Sequence, residues 1–309
     1  MSLGSFIFKK MCTKSDAKRD EGLEIPESVE YIRDIRYGRN RKFHLLDICW
    51  PKNISEKKGG LFNKSEEERA IDLSKDKLPV IISVHGGGYV YGSKEVYQFY
   101  CASLAEKGFT VINFDYRLAP KYTFPAPLED LNLVIKWMMA NKDDYPIDTD
   151  NVFLVGDSAG AQLACQYGVI YSDKEYRNIM DFKKPRINLR AVGLCCGVYD
   201  LKKRLMNEGK HGLIRDYLTS KPDQFGAKLD VLEHITDEFP PAYLFSSKGD
   251  MLLEECEPMA EYLKSRGVKC AYKIYGTKKT GHVFHVNVRD EYGAEANSDQ
   301  IEFFRKFIR

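Results

Sequence analysis

The sequence predicts an α/β domain in which a mostly parallel central sheet carries helices on both faces. Short apolar runs rich in β-branched residues alternate with longer segments whose apolar residues recur three and four positions apart, as in Leu128, Leu131, Val134, Ile135 and Met138. Strands with little internal alternation, separated by amphipathic helices, are typical of a doubly wound sheet. The strands are predicted at 42–50, 79–85, 110–116, 151–156, 191–198, 241–247 and 270–275, and the helices at 95–107, 127–141, 159–171, 256–266 and 298–308.

Three segments interrupt this alternation, although residues 1–309 are predicted to form a single domain. Residues 1–35 are polar and partly helical, and residues 201–239 separate two strands with only weak periodicity. Insertions at the carboxyl ends of parallel strands usually overhang the ligand site, so these two segments are expected to form a small helical cap. The third segment, residues 52–78, is crowded with charge and is expected to be a surface insertion.

Composition excludes several classes of protein. The 47 basic and 45 acidic residues leave a net charge of only +2, which gives no electrostatic reason to expect a nucleic acid or an anionic membrane as partner. No apolar run approaches the roughly 18 residues that a membrane span needs, and a signal-peptide pattern is absent. The eight cysteines form no CxxC pair and are expected to be reduced, which indicates a cytoplasmic protein. A homodimer is compatible with the sequence, which does not specify an oligomeric state.

The strongest local motif is Gly156-Asp157-Ser158-Ala159-Gly160, which directly follows a predicted strand and precedes a predicted helix. A serine on a sharp turn between strand and helix needs small neighbours because the backbone there is strained. The turn would expose the Ser158 hydroxyl at the top of the sheet. The N–H groups at the start of the helix would face a developing oxyanion.

A second motif, His85-Gly86-Gly87-Gly88, ends the strand predicted at 79–85. Successive glycines let the backbone approach a ligand closely and direct N–H groups into a cavity. A flexible turn and a phosphate-binding loop are the alternatives, but the sequence has neither a GxxxxGK[ST] nor a GxGxxG pattern. A glycine run after an early strand, followed later by a serine elbow, favours an oxyanion loop, and the His85 ring is expected to anchor that loop.

A nucleophilic serine needs a base and an acid that orients it, and these follow such an elbow in the order acid, then histidine. Two histidines, His282 and His285, follow the last predicted strand and are candidates for the base. Asp250 lies in the loop after the penultimate strand and is the favoured acid. Asp200 is the alternative, although it ends a strand that comes one position too early in the sheet.

These motifs together resemble the hormone-sensitive-lipase-like esterases of the α/β-hydrolase fold. The resemblance rests on segments 85–88, 116–120, 124–130 and 156–160, on Asp250-Met251-Leu252 and on His282-Val283-Phe284, and it extends from about residue 79 to the C-terminal end. It implies that Ser158 is the nucleophile, Asp250 the acid and His282 the base. It also implies that the N–H groups of Gly87, Gly88 and Ala159 form the oxyanion hole.

The resemblance implies a carboxylesterase or lipase-like serine hydrolase that forms an acyl-enzyme with a small-molecule ester and needs no cofactor. No metal is expected, because His282 and His285 have no acidic or cysteine partner spaced nearby in the sequence. No long exposed apolar lid is evident, so short- to medium-chain acyl esters are the expected substrates. Candidate pocket residues are Tyr89, Tyr91, Phe124 and His285.

Two other functions stay open at this point. An amidase or peptidase would use the same catalytic residues, since acyl transfer does not exclude a nitrogen leaving group. A non-catalytic small-molecule binder of this fold would be expected to lack a triad residue, whereas all three are present in this sequence.

Overall fold

A computed structural model of the protein describes residues 1–58, 65–207, 212–219 and 222–309. Its strands are β1 (Val29–Arg36), β2 (Leu45–Pro51), β3 (Asn53–Lys58), β4 (Ser65–Ala70), β5 (Leu78–Val84), β6 (Thr110–Phe114), β7 (Ile147–Asp157), β8 (Leu189–Cys195), β9 (Ala242–Ser247) and β10 (Cys270–Tyr275).

The α-helices in the described residues are α1 (Leu3–Asp20), α2 (Lys94–Ala105), α3 (Ala126–Asn141), α4 (Ala159–Ser172), α5 (Lys174–Ile179), α6 (Leu201–Asn207), α7 (Leu213–Leu218), α8 (Leu253–Ser265) and α9 (Glu291–Arg305). Short 3₁₀ segments lie at Pro222–Leu229, Leu232–His234 and Phe284–Val286. None of the helices in these residues is both long enough and apolar enough to cross a membrane.

The central sheet has eight strands in the order β1-β2-β6-β5-β7-β8-β9-β10. The six neighbouring strands β6, β5, β7, β8, β9 and β10 pair in parallel. At the other end of the sheet, β1 pairs antiparallel with β2, and β2 pairs antiparallel with β6. The mostly parallel α/β sheet predicted from the sequence is therefore confirmed. Its parallel strands end at one edge, where the loops after β5, β7, β9 and β10 come together.

Helices cover both faces of the sheet, which explains the continuous apolar runs of its strands. Alternate residues of β5 face opposite sides, so Val80 and Ile82 pack in one core and Ile81 in the other. Side chains of α3, α4 and α8 fill the first core, and side chains of α2 and α9 fill the second. The two helical layers hold the strand ends rigidly beneath the loops that follow them.

The seven predicted strands are all present, but β1, β3 and β4 were not predicted. The edge strand β1 buries few of its side chains and reads in sequence as a polar segment. Residues 29–35, expected to belong to a cap, therefore lie in the sheet. Part of the charged insertion 52–78 forms the hairpin β3–β4. Residues 59–64 of that insertion, and residues 208–211 and 220–221 of the expected cap segment, lie outside the described residues.

A buried carboxylate ties α3 to the segment after β6. Asp130 is fully buried and accepts hydrogen bonds from Arg117 N at 2.7 Å and Arg117 Nε at 2.8 Å. His44 Nδ1 accepts from a backbone N–H, so its Nε2 carries the proton and donates to Asp130 at 3.0 Å. The neighbouring Tyr116 stacks on the His85 ring at 4.0 Å, so this network supports the glycine loop after β5.

We expect Asp130→Ala to lower the free energy of unfolding by about 3 kcal/mol, because it leaves buried donors of Arg117 and His44 without an acceptor. Urea denaturation measures this change. Glu129→Ala is the matched control, because Glu129 is an exposed partner of the same guanidinium and its loss should cost at most about 0.5 kcal/mol. Equal effects of the two substitutions would contradict the proposed importance of the buried network.

Candidate active site

Ser158 lies on a strained turn between β7 and α4. Its φ of 53° and ψ of −116° lie in a region that residues with a side chain rarely adopt, at a cost of about 1–3 kcal/mol. The turn is fixed by a hydrogen bond of 2.9 Å from Ser158 N to the Cys195 carbonyl of β8. Because the helix begins at Ala159, the N–H groups at its start have no acceptor within the helix. The hydroxyl and these donors therefore occupy one small region.

The glycines on either side of Ser158 are required by contact. A Cβ on Gly156 would overlap the Gly160 carbonyl, and a Cβ on Gly160 would overlap the Val84 and His85 carbonyls of the strand beside it. The helix start is thus pressed directly against the ends of β5 and β7. The sequence motif reflects a close backbone approach and not simply a need for flexibility.

The three glycines after His85 form the loop that faces this turn. Gly87 and Gly88 have φ values of 112° and 58°, and a Cβ on Gly87 would overlap the Tyr91 carbonyl. The His85 ring is buried, its Nδ1 lies 2.7 Å from the Gly86 carbonyl oxygen, and burial lowers its pKa to about 4. It is a neutral support for the loop, in agreement with the expectation from the sequence.

A tyrosine joins the glycine loop to the serine turn. Tyr97 Oη accepts a hydrogen bond from Gly86 N at 3.0 Å and donates one to Asp157 Oδ2 at 2.8 Å. Burial raises the pKa of Asp157 to about 7, although the hydrogen bond from Tyr97 opposes the shift. The loop and the turn are therefore held in register by a buried side-chain bridge.

The loops after β9 and β10 bring an acid and a base together. His282 Nδ1 lies 2.7 Å from Asp250 Oδ1, which also accepts from Leu252 N at 2.8 Å. Asp250 Oδ2 accepts from Ser246 Oγ at 2.6 Å. Burial alone would raise the pKa of Asp250, but His282, Ser246 and Leu252 together lower it to about 2. The carboxylate is therefore ionised at neutral pH, which places the His282 proton on Nδ1 and leaves Nε2 free to accept one.

The two loops are also bonded to each other. Ser247 Oγ donates to the Thr280 and Gly281 carbonyls at 2.6 and 2.9 Å, and Gly249 N donates to Thr280 O at 3.1 Å. The position of the His282 ring therefore depends on the loop that carries Asp250. The sequence did not identify Ser246 and Ser247, which end β9, because serine is common at strand ends. The partner of Ser246 is on the loop that follows β9, and the partners of Ser247 lie more than thirty residues away.

One set of side chains in the described residues could hold a metal ion. Donor atoms of Cys196, Asp250 and His282 lie within 4.8 Å of one another. The sequence spacing gave His282 no cysteine or acidic neighbour, but the fold supplies both. However, Asp250 already binds the His282 ring, and burial raises the pKa of the Cys196 thiol well above its usual value, which disfavours the thiolate that a metal requires.

Ser158 and His282 border one cavity of about 290 Å³. Gly88, Tyr89 and Ala159 border it as well, so residues from the glycine loop, the serine turn and the base loop meet there. Its other lining residues come from the cap segments and nearby loops: Phe8, Val198, Arg204, Asn207, Leu213, Ile214, Met251 and Leu252. Weak periodicity in these segments prevented their prediction as lining residues.

The remaining candidate pocket residues lie outside the described lining of this cavity. Tyr91 donates a hydrogen bond to Asp16 Oδ2 of α1 at 2.8 Å. Phe124 is buried against Tyr217, whose ring stacks in turn on the Tyr89 ring at 3.9 Å. His285 is buried against Tyr100 and Phe245, and burial lowers its pKa to about 3. Of the four candidates, Tyr89 borders the cavity, and Phe124 reaches it indirectly through Tyr217.

Comparison with known proteins agrees with this arrangement. A family model described as alpha/beta hydrolase fold matches residues 81–286, about two thirds of the chain. An acetyl esterase of Salmonella schwarzengrund is 27% identical over 240 residues, which cover 73% of this chain and 71% of the relative. An acetyl esterase of Salmonella choleraesuis is 28% identical over 236 residues, covering 72% and 70%.

Solved structures resemble the whole chain in fold. Esterase B of Lactobacillus rhamnosis, inhibited by a tributyrin phosphonate, superposes with a TM-score of 0.82 at 21% identity and covers 98% of this chain and 94% of its own. A hyperthermophilic esterase of the archaeon Pyrobaculum calidifontis gives a TM-score of 0.71 at 23% identity, covering 98% and 91%. At these identities, the likeness concerns the fold.

We expect Gly160→Ala to disrupt the serine turn, because its Cβ would overlap backbone carbonyls that cannot move without separating α4 from β5. The free energy of unfolding should fall by about 3 kcal/mol or more, as measured by urea denaturation. Gly281→Ala is the matched control beside His282, since a Cβ there meets nothing within 4 Å and φ is not positive. A Gly160→Ala protein as stable as this control would contradict the close contact.

Proposed function

The chain belongs to the α/β-hydrolase-fold family, and on that premise we propose that it is a serine carboxylic-ester hydrolase acting on short- to medium-chain acyl esters. The family match and the similar esterases confirm the resemblance to the hormone-sensitive-lipase-like branch. The observation that carries the proposal is the cavity shared by Ser158 and His282, with Asp250 bound behind the imidazole. These three side chains follow β7, β10 and β9, whose carboxyl ends lie at one edge of the sheet.

In the proposed reaction, His282 Nε2 takes the proton of Ser158 Oγ as that oxygen attacks the ester carbonyl. The imidazolium that forms then donates this proton to the leaving alkoxide, and an acyl-enzyme remains on Ser158. Water attacks the acyl carbonyl while His282 again acts as base, and collapse of the second intermediate returns the proton to Ser158. The acid product leaves and the enzyme is restored.

Asp250 stabilises the imidazolium and keeps its proton on Nδ1. Its hydrogen bonds from Ser246 and Leu252 hold the carboxylate in place and favour its charged form. The negative charge is therefore available before the reaction begins, which reduces the reorganisation that the transition state requires.

The tetrahedral oxyanion would bind the N–H groups of Gly87, Gly88 and Ala159. Gly88 and Ala159 border the cavity beside Ser158, which supports this assignment. Gly87 precedes Gly88 in the glycine loop, at a φ of 112° that a strand residue does not adopt. Removing one such donor typically reduces kcat by about a hundredfold or more.

The cap and the size of the cavity support a small substrate. We propose that α1, α6 and α7 form the cap, because Phe8, Arg204 and Leu213 border the cavity from these three helices. A volume of about 290 Å³ lies at the lower end of the range usual for small-molecule sites. The names of the similar acetyl esterases agree with a short acyl group.

The two rival functions are less well supported. A non-catalytic binder would not need the charged Asp250 behind an imidazole with a free Nε2. An amidase would use the same residues, and a p-nitroanilide substrate distinguishes it from an esterase, since a leaving anilide requires more effective protonation than a leaving phenolate.

We expect Ser158→Ala to abolish hydrolysis of p-nitrophenyl butyrate, and Asp250→Asn to lower kcat about 10⁴-fold because the His282 tautomer is no longer fixed. Asp200→Asn is the control, because Asp200 is the alternative acid in the sequence and its carboxylate instead accepts from Lys203 N at 2.9 Å at the start of α6. It should keep nearly full activity. An active Ser158→Ala protein, or a larger loss in Asp200→Asn than in Asp250→Asn, would refute the assignment.

Acyl-chain preference should depend on Leu213, which borders the cavity and whose Cδ1 approaches Gly88. We expect Leu213→Ala to shift the preference toward longer acyl chains, because the smaller side chain lengthens the acyl site. The kcat/KM for p-nitrophenyl octanoate, divided by the kcat/KM for p-nitrophenyl butyrate, should rise by about tenfold. Measurement with a series of p-nitrophenyl esters tests this. Leu73→Ala, at an exposed position outside the cavity lining, should leave the ratio unchanged.

A further inference from the structure

Exposed apolar side chains are concentrated at one place on the protein. Of the nine large hydrophobic residues that are exposed in the described part of the chain, five lie in residues 1–11, and two more are Met206 and Met251. Leu73 and Ile308 are the remaining two. Single exposed hydrophobic residues are ordinary, but a contiguous group usually marks a surface that contacts something apolar.

The helix α1 has its apolar side turned outward. Leu3, Phe6, Ile7 and Met11 are spaced three and four apart, so they lie along one side, which we call the α1 apolar face. They are between 49% and 67% exposed. The opposite side contains Ser5, which is fully buried, and Asp16, which is half-buried. Of the apolar side chains of α1, Phe8 packs against the core, whereas the four residues of the α1 apolar face remain exposed.

Polar contacts fix the rotation of α1 about its axis. Asp16 Oδ2 accepts from Tyr91 Oη at 2.8 Å, and Arg19 Nη2 donates to Val96 O at 2.7 Å. At the other end, Ser2 N donates to Asp216 Oδ2 of α7 at 2.8 Å. Turning the apolar face toward the protein would break these contacts, so its exposure is a property of the fold.

The helix α1 also contributes a side chain to the cavity of the proposed active site. Phe8, on the same helix, borders the cavity together with Met251 and with Arg204 and Asn207 of α6. Met206, which is 78% exposed, lies between those two α6 residues in sequence, and Met251 is 76% exposed. The helix that carries the α1 apolar face, and the exposed Met251, therefore both border the cavity, and Met206 lies next to a lining residue in sequence.

Positive charge accompanies this apolar surface. The first fifteen residues contain Lys9, Lys10 and Lys14 and no acidic residue, and all three lysines are exposed. Although the net charge of the chain is only +2, the surface next to the α1 apolar face is basic. An exposed helix with an apolar stripe and flanking lysines has the properties of a helix that lies in the interface of an anionic bilayer.

We propose that the α1 apolar face, with Met206 and Met251, docks the protein on an anionic phospholipid surface, with the cavity opening toward that surface. Docking would insert Leu3, Phe6 and Ile7 among the acyl chains and place the lysines at the level of the phosphates. The exposed lysines beside the face complement the phosphates of an anionic lipid surface, which can also supply an ester to the cavity. Delivery of substrate in this way rests on the proposed function, but docking itself does not.

Binding is tested with the full chain by flotation of vesicles made of phosphatidylcholine with about one third phosphatidylglycerol, compared with vesicles of phosphatidylcholine alone. The native protein should float with the anionic vesicles. Leu3→Gln combined with Ile7→Gln should reduce the partition coefficient about tenfold or more through loss of inserted apolar area. Lys10→Glu combined with Lys14→Glu should reduce binding to anionic vesicles by at least about fivefold per lysine, and added salt should have the same effect.

Leu73→Gln combined with Ile308→Gln is the matched control, because it removes two exposed apolar residues elsewhere and should leave binding unchanged. Thermal unfolding checks that each variant is folded, and hydrolysis of soluble p-nitrophenyl acetate should be the same in the α1 variants and the native protein. Lack of flotation by the native protein would overturn docking even if hydrolysis is normal. An equal loss of vesicle binding in the control variant would also overturn docking. So would a dimer, detected by sedimentation, that the combined substitution Leu3→Gln and Ile7→Gln dissociates, since the face would then join two copies of the chain.

Discussion

The close contact between the start of α4 and the ends of β5 and β7 determines the rest of the site. Gly156 and Gly160 have no room for a Cβ, so the backbone must turn within two residues, and Ser158 takes up a strained conformation with φ of 53°. This strain is maintained by the hydrogen bond to Cys195 O and by the two cores that fix the strands and the helix. A looser contact would let the turn relax and would move both the hydroxyl and the Ala159 N–H.

Two polar bridges connect the loops of the site, one between the serine turn and the glycine loop and one between the acid loop and the base loop. Tyr97 joins Asp157 of the turn to Gly86 of the glycine loop, and Ser247 joins the acid loop to the carbonyls before His282. Each bridge is short and buried, so the loops have little freedom to move separately. The same sheet edge thus holds the groups that would bind the oxyanion and those that would transfer the proton. Preorganisation of this kind is the main means by which a site stabilises developing charge.

The sequence predicted the sheet because buried strands follow from a local rule, and the two side chains that it proposed as acid and base lie 2.7 Å apart in the fold. Apolar runs mark buried parallel strands, and chain order after the serine turn directs attention to Asp250 and His282. It did not predict β1, whose edge position buries few residues, or the contacts of Ser247, whose partners lie more than thirty residues away in the chain. Periodicity also cannot tell which side of a helix faces the core. The sequence identified residues 1–35 as polar and partly helical, and it did not show that polar contacts turn the apolar residues of α1 outward.

The outward stripe also changes how substrate size should be understood. The sequence shows no long apolar lid, which favours a short or medium acyl chain. The cavity volume of about 290 Å³ supports the same inference independently, because it limits what can be enclosed beside Ser158. Phe8 of α1 borders that volume, whereas the four residues of the α1 apolar face are not among its lining residues. The two features therefore act on different properties in our proposals: the cavity volume limits the acyl group that reacts, and the α1 apolar face determines the phase from which the ester is taken.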